Sequence, residues 1–257
     1  MFAPVFAIIF GIVVSCSDDK DAKDEECEHT LIDTDTGPEF DFGPCGEKKY
    51  DGSFTVMDAD SLAELSTYTS VDGNLKIEDT TDLVNLDGLD SLLCVARNLS
   101  ITANSALENI DGLSNLTTIG GTVTIGDYNE GNSLLANVGG LSSLTSIGGH
   151  LWIEHNNVLA DVDGLSSLAS IGEFLGVFGN PSLTSLSGLG NLETVDGLLN
   201  IAENEKLPTC EGTKIRDQIG IECRDICIRL NLPDGCLDDD EDCWYDGCDP
   251  GDECDDY

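Results

Sequence analysis

The chain has 257 residues and a formal net charge of −39, from 50 acidic and 11 basic residues. This balance makes nucleic acids and anionic lipid surfaces unfavourable partners, because both repel a strongly acidic protein. The length suits one domain with flanking segments rather than two large domains.

The first predicted element is an apolar stretch at residues 2–14, which runs through Ser15 to Cys16. It is shorter than the roughly 20 residues that a membrane-spanning helix needs. An apolar stretch followed by a small residue and a cysteine resembles a bacterial lipoprotein signal. No Lys or Arg precedes the stretch, so an ordinary cleaved signal and an uncleaved anchor remain open.

The lipoprotein resemblance implies a signal peptide at residues 1–15, lipidation of Cys16 and a lipid-anchored protein of the cell envelope. It favours the outer membrane or the cell surface, because Ser17 stands where inner-membrane retention uses aspartate. Residues 16–46 are predicted to form an acidic spacer and an N-terminal cap. Asp and Glu dominate the start of this segment, as is typical of a hydrated linker.

Residues 47–209 carry an internal repeat. Its first apolar row recurs every 24 residues, with one interval of 28, at Leu75, Leu99, Val123, Leu151, Leu175 and Leu199. A second apolar residue follows two positions later in each repeat, which predicts a short strand with one buried face. Because the chain direction repeats, equivalent strands should pair in parallel. The sequence therefore predicts a mainly β fold, a right-handed parallel β-helix or solenoid of about seven coils with disulfide-rich caps.

Further rows support the same architecture. A weaker first coil is predicted through Phe54 and Val56, and a third apolar row lies four residues before the first: Val71, Val95, Ile119, Ile147, Ile171 and Val195. Asparagines that follow the strands should stack and bond the turn backbone: Asn104, Asn156, Asn180 and Asn204, with Thr80 in their place in the first full coil. Recurring glycines are predicted to supply positive φ at sharp corners: Gly73, Gly88, Gly112, Gly121, Gly140, Gly149, Gly164, Gly188 and Gly197. The longer interval should bulge as a loop within residues 126–134.

The unit G-x-L-x-I-x-x-N-x-x-L runs almost unbroken from Gly149 to Leu159 and recurs from Gly197. Over residues 52–207 this pattern resembles the receptor L-domain family. The post-strand segments are poor in helix formers, which favours a closed β-helix over the open horseshoe of ordinary leucine-rich repeats, with its helices or 3₁₀ turns. The resemblance implies ligand recognition. With one array and no kinase segment, it does not imply receptor signalling.

The eleven cysteines fit an exported protein, because removing Cys16 leaves ten, enough for five disulfides of open connectivity. Most lie towards the two ends of the chain. Residues 210–236 are predicted to form a C-terminal cap with a short helix over 211–219 and a closing strand over 226–232. The tail lacks paired CxxC motifs and no histidine follows His155, so disulfides are favoured over zinc and no metal site is predicted.

Residues 237–257 form an acidic, Cys-rich tail. Asp238, Asp240 and Asp242 resemble the start of a calcium loop. Cys243 replaces the glycine of that loop, and Asp249 replaces its final glutamate. A solvated acidic tail held by disulfides is therefore the favoured interpretation, with calcium binding as the alternative.

A candidate binding surface lies on the outer face of the strands. The alternation points Trp152 outward, with His150 and Glu154 beside it and with Phe174 and Phe178 facing the same way one coil later. Exposed aromatic residues on a rigid sheet are typical recognition anchors, so His150, Trp152, Phe174 and Phe178 are predicted to bind a ligand. The alternative is that a cap, loop or tail covers them.

Catalysis is not predicted, because the outward rows offer no pair of carboxylates in neighbouring coils and Glu78 and Glu154 lie three coils apart. The sequence predicts a non-enzymatic envelope lipoprotein without a cofactor, whose partners are a protein or glycan at the cell surface and the membrane that holds its lipid. The alternatives are a structural envelope protein without a specific ligand and a carbohydrate-active β-helix enzyme.

Overall fold

A computed structural model describes residues 45–128 and 131–220, together with three further strands, Ile12–Val14, His29–Leu31 and Ile226–Arg229. The chain divides into two compact units, Met1–Asp41 and Phe42–Tyr257. In the first unit, β1 (Ile12–Val14) and β2 (His29–Leu31) pair antiparallel. The predictions of lipidation at Cys16, of the acidic spacer and of the acidic tail with its calcium-like loop lie outside the described residues.

The second unit is mainly β. Its strands are, in chain order, β3 (Lys49–Tyr50), β4 (Phe54–Val56), β5 (Ser70–Val71), β6 (Leu75–Glu78), β7 (Cys94–Val95), β8 (Leu99–Thr102), β9 (Thr118–Ile119), β10 (Val123–Ile125), β11 (Ser146–Ile147), β12 (Leu151–Glu154), β13 (Ser170–Ile171), β14 (Leu175–Phe178), β15 (Thr194–Val195), β16 (Leu199–Ala202) and β17 (Ile226–Arg229). The helices are α1 (Ala59–Leu65) and α2 (Thr209–Ile219), and 3₁₀ turns span Asp111–Leu113, Gly139–Leu141, Asp163–Leu165 and Ser187–Leu189.

These strands form two parallel sheets. The first sheet has eight strands in the order β17-β16-β14-β12-β10-β8-β6-β4, and the second has seven in the order β15-β13-β11-β9-β7-β5-β3. From β3 to β16 the chain alternates between the sheets, so neighbouring strands within a sheet are not consecutive in the chain; the exception is β17, which follows β16 in the same sheet. This arrangement is that of a β-solenoid, and we call the segment between successive strands of the first sheet a coil.

The register confirms the predicted rows. Leu99 of β8 pairs with Leu75 on one side and with Val123 on the other, and the same row continues to Leu199. The weaker first coil is also confirmed, because Phe54 pairs with Leu75 and is buried. The third apolar row forms the core-facing side of the second sheet, which the sequence did not identify as strands. The apolar rows of both sheets belong to one continuous buried core.

The predicted asparagine stack is present and longer than expected. Its members, which we call the asparagine ladder, are all fully buried: Thr80, Asn104, Asn132, Asn156, Asn180 and Asn204. Asn104 shows the pattern, because its Nδ2 donates to the oxygen of Ile77 (2.8 Å) and to Oδ1 of Asn132 (3.0 Å), while its own Oδ1 accepts from the backbone nitrogen of Thr80 (3.2 Å). Asn132 was missed because the insertion displaces it from the expected position. The extra residues therefore lie before Asn132.

The recurring glycines are needed for a different reason from the one predicted. Of the corner glycines, only Gly88 has a positive φ, of 102°. At Gly112, Gly140, Gly164 and Gly188 a Cβ would instead overlap a backbone carbonyl of the preceding coil, such as that of Val138 for Gly164. These glycines lie within the 3₁₀ turns, so the turns of successive coils stack with their backbones in contact. Positive φ falls instead on the residue after several strands, including four that are not glycine: Asp79, Ala103, His155 and Glu203.

The 3₁₀ turns were not predicted, and they are a feature of the rival leucine-rich architecture. Short polar side chains start them. Asn109 Oδ1 accepts a hydrogen bond from the backbone nitrogen of Asp111 (3.2 Å), and Asp161 does the same for Asp163 (3.1 Å). A side chain that bonds the backbone two residues later favours a tight turn even where helix formers are scarce.

Both ends of the stack are covered. At the first end, α1 begins with a capping box in which Asp58 Oδ1 accepts from the backbone nitrogen of Ser61 (2.8 Å), a bond that lowers the pKa of Asp58. At the other end, α2 begins at Thr209, two residues before the predicted helix, and β17 confirms the closing strand by pairing with β16.

Side chains of helix α2 form hydrogen bonds with the backbone of the last coil. Glu211 Oε2 accepts from the backbone nitrogen of Leu186 (3.0 Å), and Gln218 Nε2 donates to the oxygens of Leu189 (3.0 Å) and Leu192 (2.6 Å). Partial burial opposes ionisation of Glu211, but bonds from Lys214 and Leu186 outweigh it and lower the pKa of this carboxyl. The helix thus satisfies polar groups that a further coil would otherwise meet.

Disulfides reinforce the same ends. Cys45 bonds Cys94 of β7, and Cys210 is also disulfide-bonded. The prediction of disulfides is therefore confirmed for these three cysteines, although Cys94 lies within the repeat and not in a cap. The pairing of the other seven cysteines of the predicted ten, at 27, 223, 227, 236, 243, 248 and 254, lies outside what the structure describes.

Candidate recognition surface

The outer face of the first sheet carries the predicted aromatic residues, in two groups. His150 precedes β12, Trp152 lies within it, and Phe174 precedes β14; we call these three the strand cluster. Phe178, at the end of β14, packs instead against His155, at 4.7 Å between ring centroids. The four predicted residues, His150, Trp152, Phe174 and Phe178, therefore fall into two groups, and their role in binding stays a prediction.

Ring contacts hold the strand cluster together. His150 lies 4.8 Å from Phe174 and 5.7 Å from Trp152, and Trp152 meets Phe174 nearly edge-on at 6.4 Å between ring centroids. His150 is oriented by two further contacts: its Nδ1 accepts from the backbone nitrogen of Phe174 (3.1 Å), and its Nε2 lies 2.7 Å from Glu173 Oε2. Because Nδ1 is an acceptor, the hydrogen-bond network assigns the ring proton to Nε2.

Glycines in the next coil determine how these rings lie. Trp152 pairs with Gly176 across the sheet, and a Cβ on Gly176 would overlap the indole ring. Phe174 likewise lies over Gly197. The indole ring of Trp152 thus lies over Gly176 of the next strand and is partly buried, whereas Phe174 remains 37% exposed. The sequence signal for this arrangement was Gly176, which interrupts the row of larger side chains one coil after Trp152.

A second group, which sequence analysis missed, gathers where the insertion meets the ends of β12 and β14. We call Asp127, Tyr128, Glu154, His155 and Phe178 the loop cluster. Tyr128 meets the His155 ring edge-on at 5.4 Å and is 75% exposed. The backbone of the insertion packs directly against the end of β12. A Cβ at Gly126 would overlap the carbonyl oxygen of Glu154, and one at Gly131 would overlap the carbonyl oxygen of His155.

The loop cluster contains an unusual carboxylate. Glu154 is partly buried, and its pKa is raised first by that burial and then by the nearby charge of Asp127. Among the described residues, no hydrogen-bond donor or cation contacts its carboxylate. Nδ1 of His155 is also buried without a hydrogen-bond partner in the described part of the chain. Asp127 lies in the insertion, so comparison of regular rows could not pair it with Glu154.

Chemically, the surface offers aromatic rings and carboxylates. Within residues 45–128 and 131–220, no three His, Cys, Asp or Glu side chains are arranged to hold a metal ion. No helix in the described part of the chain is long and apolar enough to cross a membrane. Comparison of the chain with protein-family models, with curated proteins and with solved structures found no match.

Proposed function

We propose that the chain is a non-enzymatic, lipid-anchored protein of the cell envelope that presents an L-domain-like β-helix to a protein or glycan at the cell surface. The observation that carries the proposal is the strand cluster. Three ring side chains contact one another on the outer face of a regular sheet, and a histidine among them is held by two polar contacts. Rigid, partly exposed aromatic side chains supply contact area at low entropic cost, which is typical of recognition anchors.

The scaffold is inferred to be a right-handed solenoid of about seven coils with a 24-residue unit. The rule that parallel crossovers are right-handed supports the hand. The pairing of Leu75 with Leu99, and of Leu151 with Leu175, supports the unit length. Left-handed crossovers in an experimental structure would contradict this inference.

The membrane anchor rests on the resemblance of residues 1–16 to a lipoprotein signal. Intact-mass analysis of the protein from its native membrane tests it. We expect a chain that begins at Cys16 and carries acyl groups, because signal cleavage and lipidation occur together at that cysteine. A chain that begins elsewhere, or that carries no acyl group, would remove the anchor from the proposal and leave the scaffold unaffected.

Substitution of the strand cluster tests the recognition role. We expect Trp152→Ala and Phe174→Ala to weaken binding to glycan arrays or to solubilised envelope proteins at least about tenfold, since buried aromatic anchors dominate most interfaces. Val84→Ala is a suitable control, because Val84 is an exposed apolar residue outside both clusters. Thermal melting of each variant checks that the fold is retained.

The outcomes separate the alternatives. Equal binding by the wild type and both aromatic variants would show that the strand cluster is not the binding surface. A complete absence of ligands would favour a structural envelope protein. Turnover of a bound polysaccharide would favour a carbohydrate-active enzyme.

A further inference from the structure

We propose that the loop cluster is a subsite for a cationic side chain, arginine or lysine, of a protein partner. The inference rests on the proposed recognition role and names the chemistry of the ligand. It stands on three observations: a carboxylate without a counter-charge, a set of aromatic rings around it, and the distribution of charge along the stack.

The first observation is the state of Glu154. Its carboxylate is partly removed from water, and Asp127 is close enough to disfavour its charge further. Ionised groups in such places are normally paired, because burial without a partner is costly. No described residue supplies that partner to Glu154, whereas an incoming cation would be attracted by its carboxylate.

The second observation is the aromatic surround. Glu154 pairs in register with Phe178 on the neighbouring strand, so these two side chains lie side by side on the outer face. His155 packs edge-on between Phe178 and Tyr128, and the glycine contacts of the insertion keep Tyr128 beside them. Aromatic faces next to carboxylates suit a guanidinium or ammonium group, which gains cation–π attraction as well as a salt bridge.

The third observation is the charge of the surrounding coils. No Lys or Arg occurs between Arg97 and Lys206, although this segment contains twelve Asp and Glu residues. The field around the cluster is therefore negative, which attracts basic segments and repels acidic polysaccharides. A divalent metal is less suitable, because no three metal-ligating groups converge among the described residues.

The two clusters are continuous. Trp152 and Glu154 both point outward from β12, two residues and so about 7 Å apart. A protein segment could therefore place an apolar group on the strand cluster and a cationic side chain on Glu154. A neutral glycan would engage the first cluster without using the second.

Matched peptides test the proposal. The probe is Ac-Gly-Trp-Gly-Arg-Gly-NH₂, and its control replaces arginine with citrulline, which keeps the shape and removes the charge. Binding to the full-length protein is measured by titration calorimetry and by NMR shifts. We expect the citrulline peptide to bind about tenfold more weakly, and Glu154→Gln to weaken the arginine peptide by a similar factor.

A charge-matched variant separates a specific subsite from general attraction to an acidic protein. Glu193→Gln removes the same charge from an exposed site outside both clusters, and we expect it to leave the affinity for the arginine peptide unchanged. Tyr128→Ala should weaken arginine binding without affecting the citrulline peptide. Equal affinities for the two peptides, or equal effects of Glu154→Gln and Glu193→Gln, would overturn the proposal.

Failure here is distinct from failure of the proposed function. If Glu154→Gln has no effect but Trp152→Ala abolishes binding of a glycan or protein ligand, the result supports the recognition role and contradicts the cationic subsite. If the arginine peptide binds through Glu154 but no ligand depends on Trp152 or Phe174, the subsite stands and the strand cluster loses its role.

Discussion

Replacing Asn156 with leucine should lower the free energy of unfolding by about 3–5 kcal/mol, because each buried polar group left without a partner costs about 1–3 kcal/mol. Asn156 Nδ2 donates to the carbonyl oxygens of Ile125 (2.9 Å) and Glu154 (3.0 Å), and its Oδ1 accepts from the backbone nitrogen of Asn132 (3.2 Å). Leucine has a similar volume, so the change removes these bonds without leaving a large cavity. Urea denaturation measures the loss.

Asn157→Ala is the matched control, since Asn157 is the next residue in the chain and is exposed. We expect this control to change stability by less than about 0.5 kcal/mol, as is usual for surface substitutions. A loss for Asn156→Leu no greater than that of the control would show that the ladder does not stabilise the stack. Asn156→Leu combined with Asn180→Leu should cost less than the sum of the two single losses, because the two amides bond each other.

Removing the disulfide between Cys45 and Cys94 should cost about 4 kcal/mol, the loop-closure value for a cross-link that spans 49 residues. The bond joins a residue that precedes the first coil to β7, the third strand of the second sheet, so it constrains the chain across β5. The double variant Cys45→Ala/Cys94→Ala is compared with the wild type by urea denaturation without reductant. A lower transition midpoint with a steeper dependence of the unfolding free energy on urea is the expected result, because the unfolded chain is more expanded without the cross-link.

The single variant Cys45→Ala separates the cross-link from packing. Cys94 is buried, so alanine at that position also removes core contacts. Cys45→Ala breaks the same disulfide but keeps the side chain of Cys94 in place. If the cross-link dominates, the single variant should lose nearly as much stability as the double. If Cys45→Ala has almost no effect, the loss in the double variant comes from packing of Cys94.

The sequence predicted those parts of the fold in which one chemical requirement recurs in every coil. Apolar rows had to face the core, and stacked asparagines had to satisfy a buried turn, so their spacing was sufficient to place them. The glycines were located correctly but explained incorrectly. Positive φ and close backbone contact both select glycine, and only the structure shows that Gly164 lies against the carbonyl of Val138.

The candidate site was less predictable, because it depends on departures from the repeat. Alternation places Trp152 and Phe178 on one face, but it does not reveal that the indole ring lies over Gly176 or that Phe178 packs against His155 instead of Trp152. Tyr128 and Asp127 occur once, in the insertion, and have no counterpart in other coils with which to compare them. Irregular features of a repeat protein therefore need three-dimensional information, even where the repeat itself does not.

The asparagine ladder has a beginning that is chemically marked. Every asparagine in it offers a carbonyl oxygen to the coil before, whereas Thr80 has only a hydroxyl, which donates to Asn104 Oδ1 at 2.8 Å. Before Thr80 the chain forms α1 in place of a turn that could supply another donor. A threonine at this position has no side-chain carbonyl oxygen that would need a donor from a preceding coil. The asparagine ladder can therefore begin here. A further coil stacked before Thr80 would meet no side-chain amide oxygen at this position, so continuing the ladder in that direction would require asparagine at position 80.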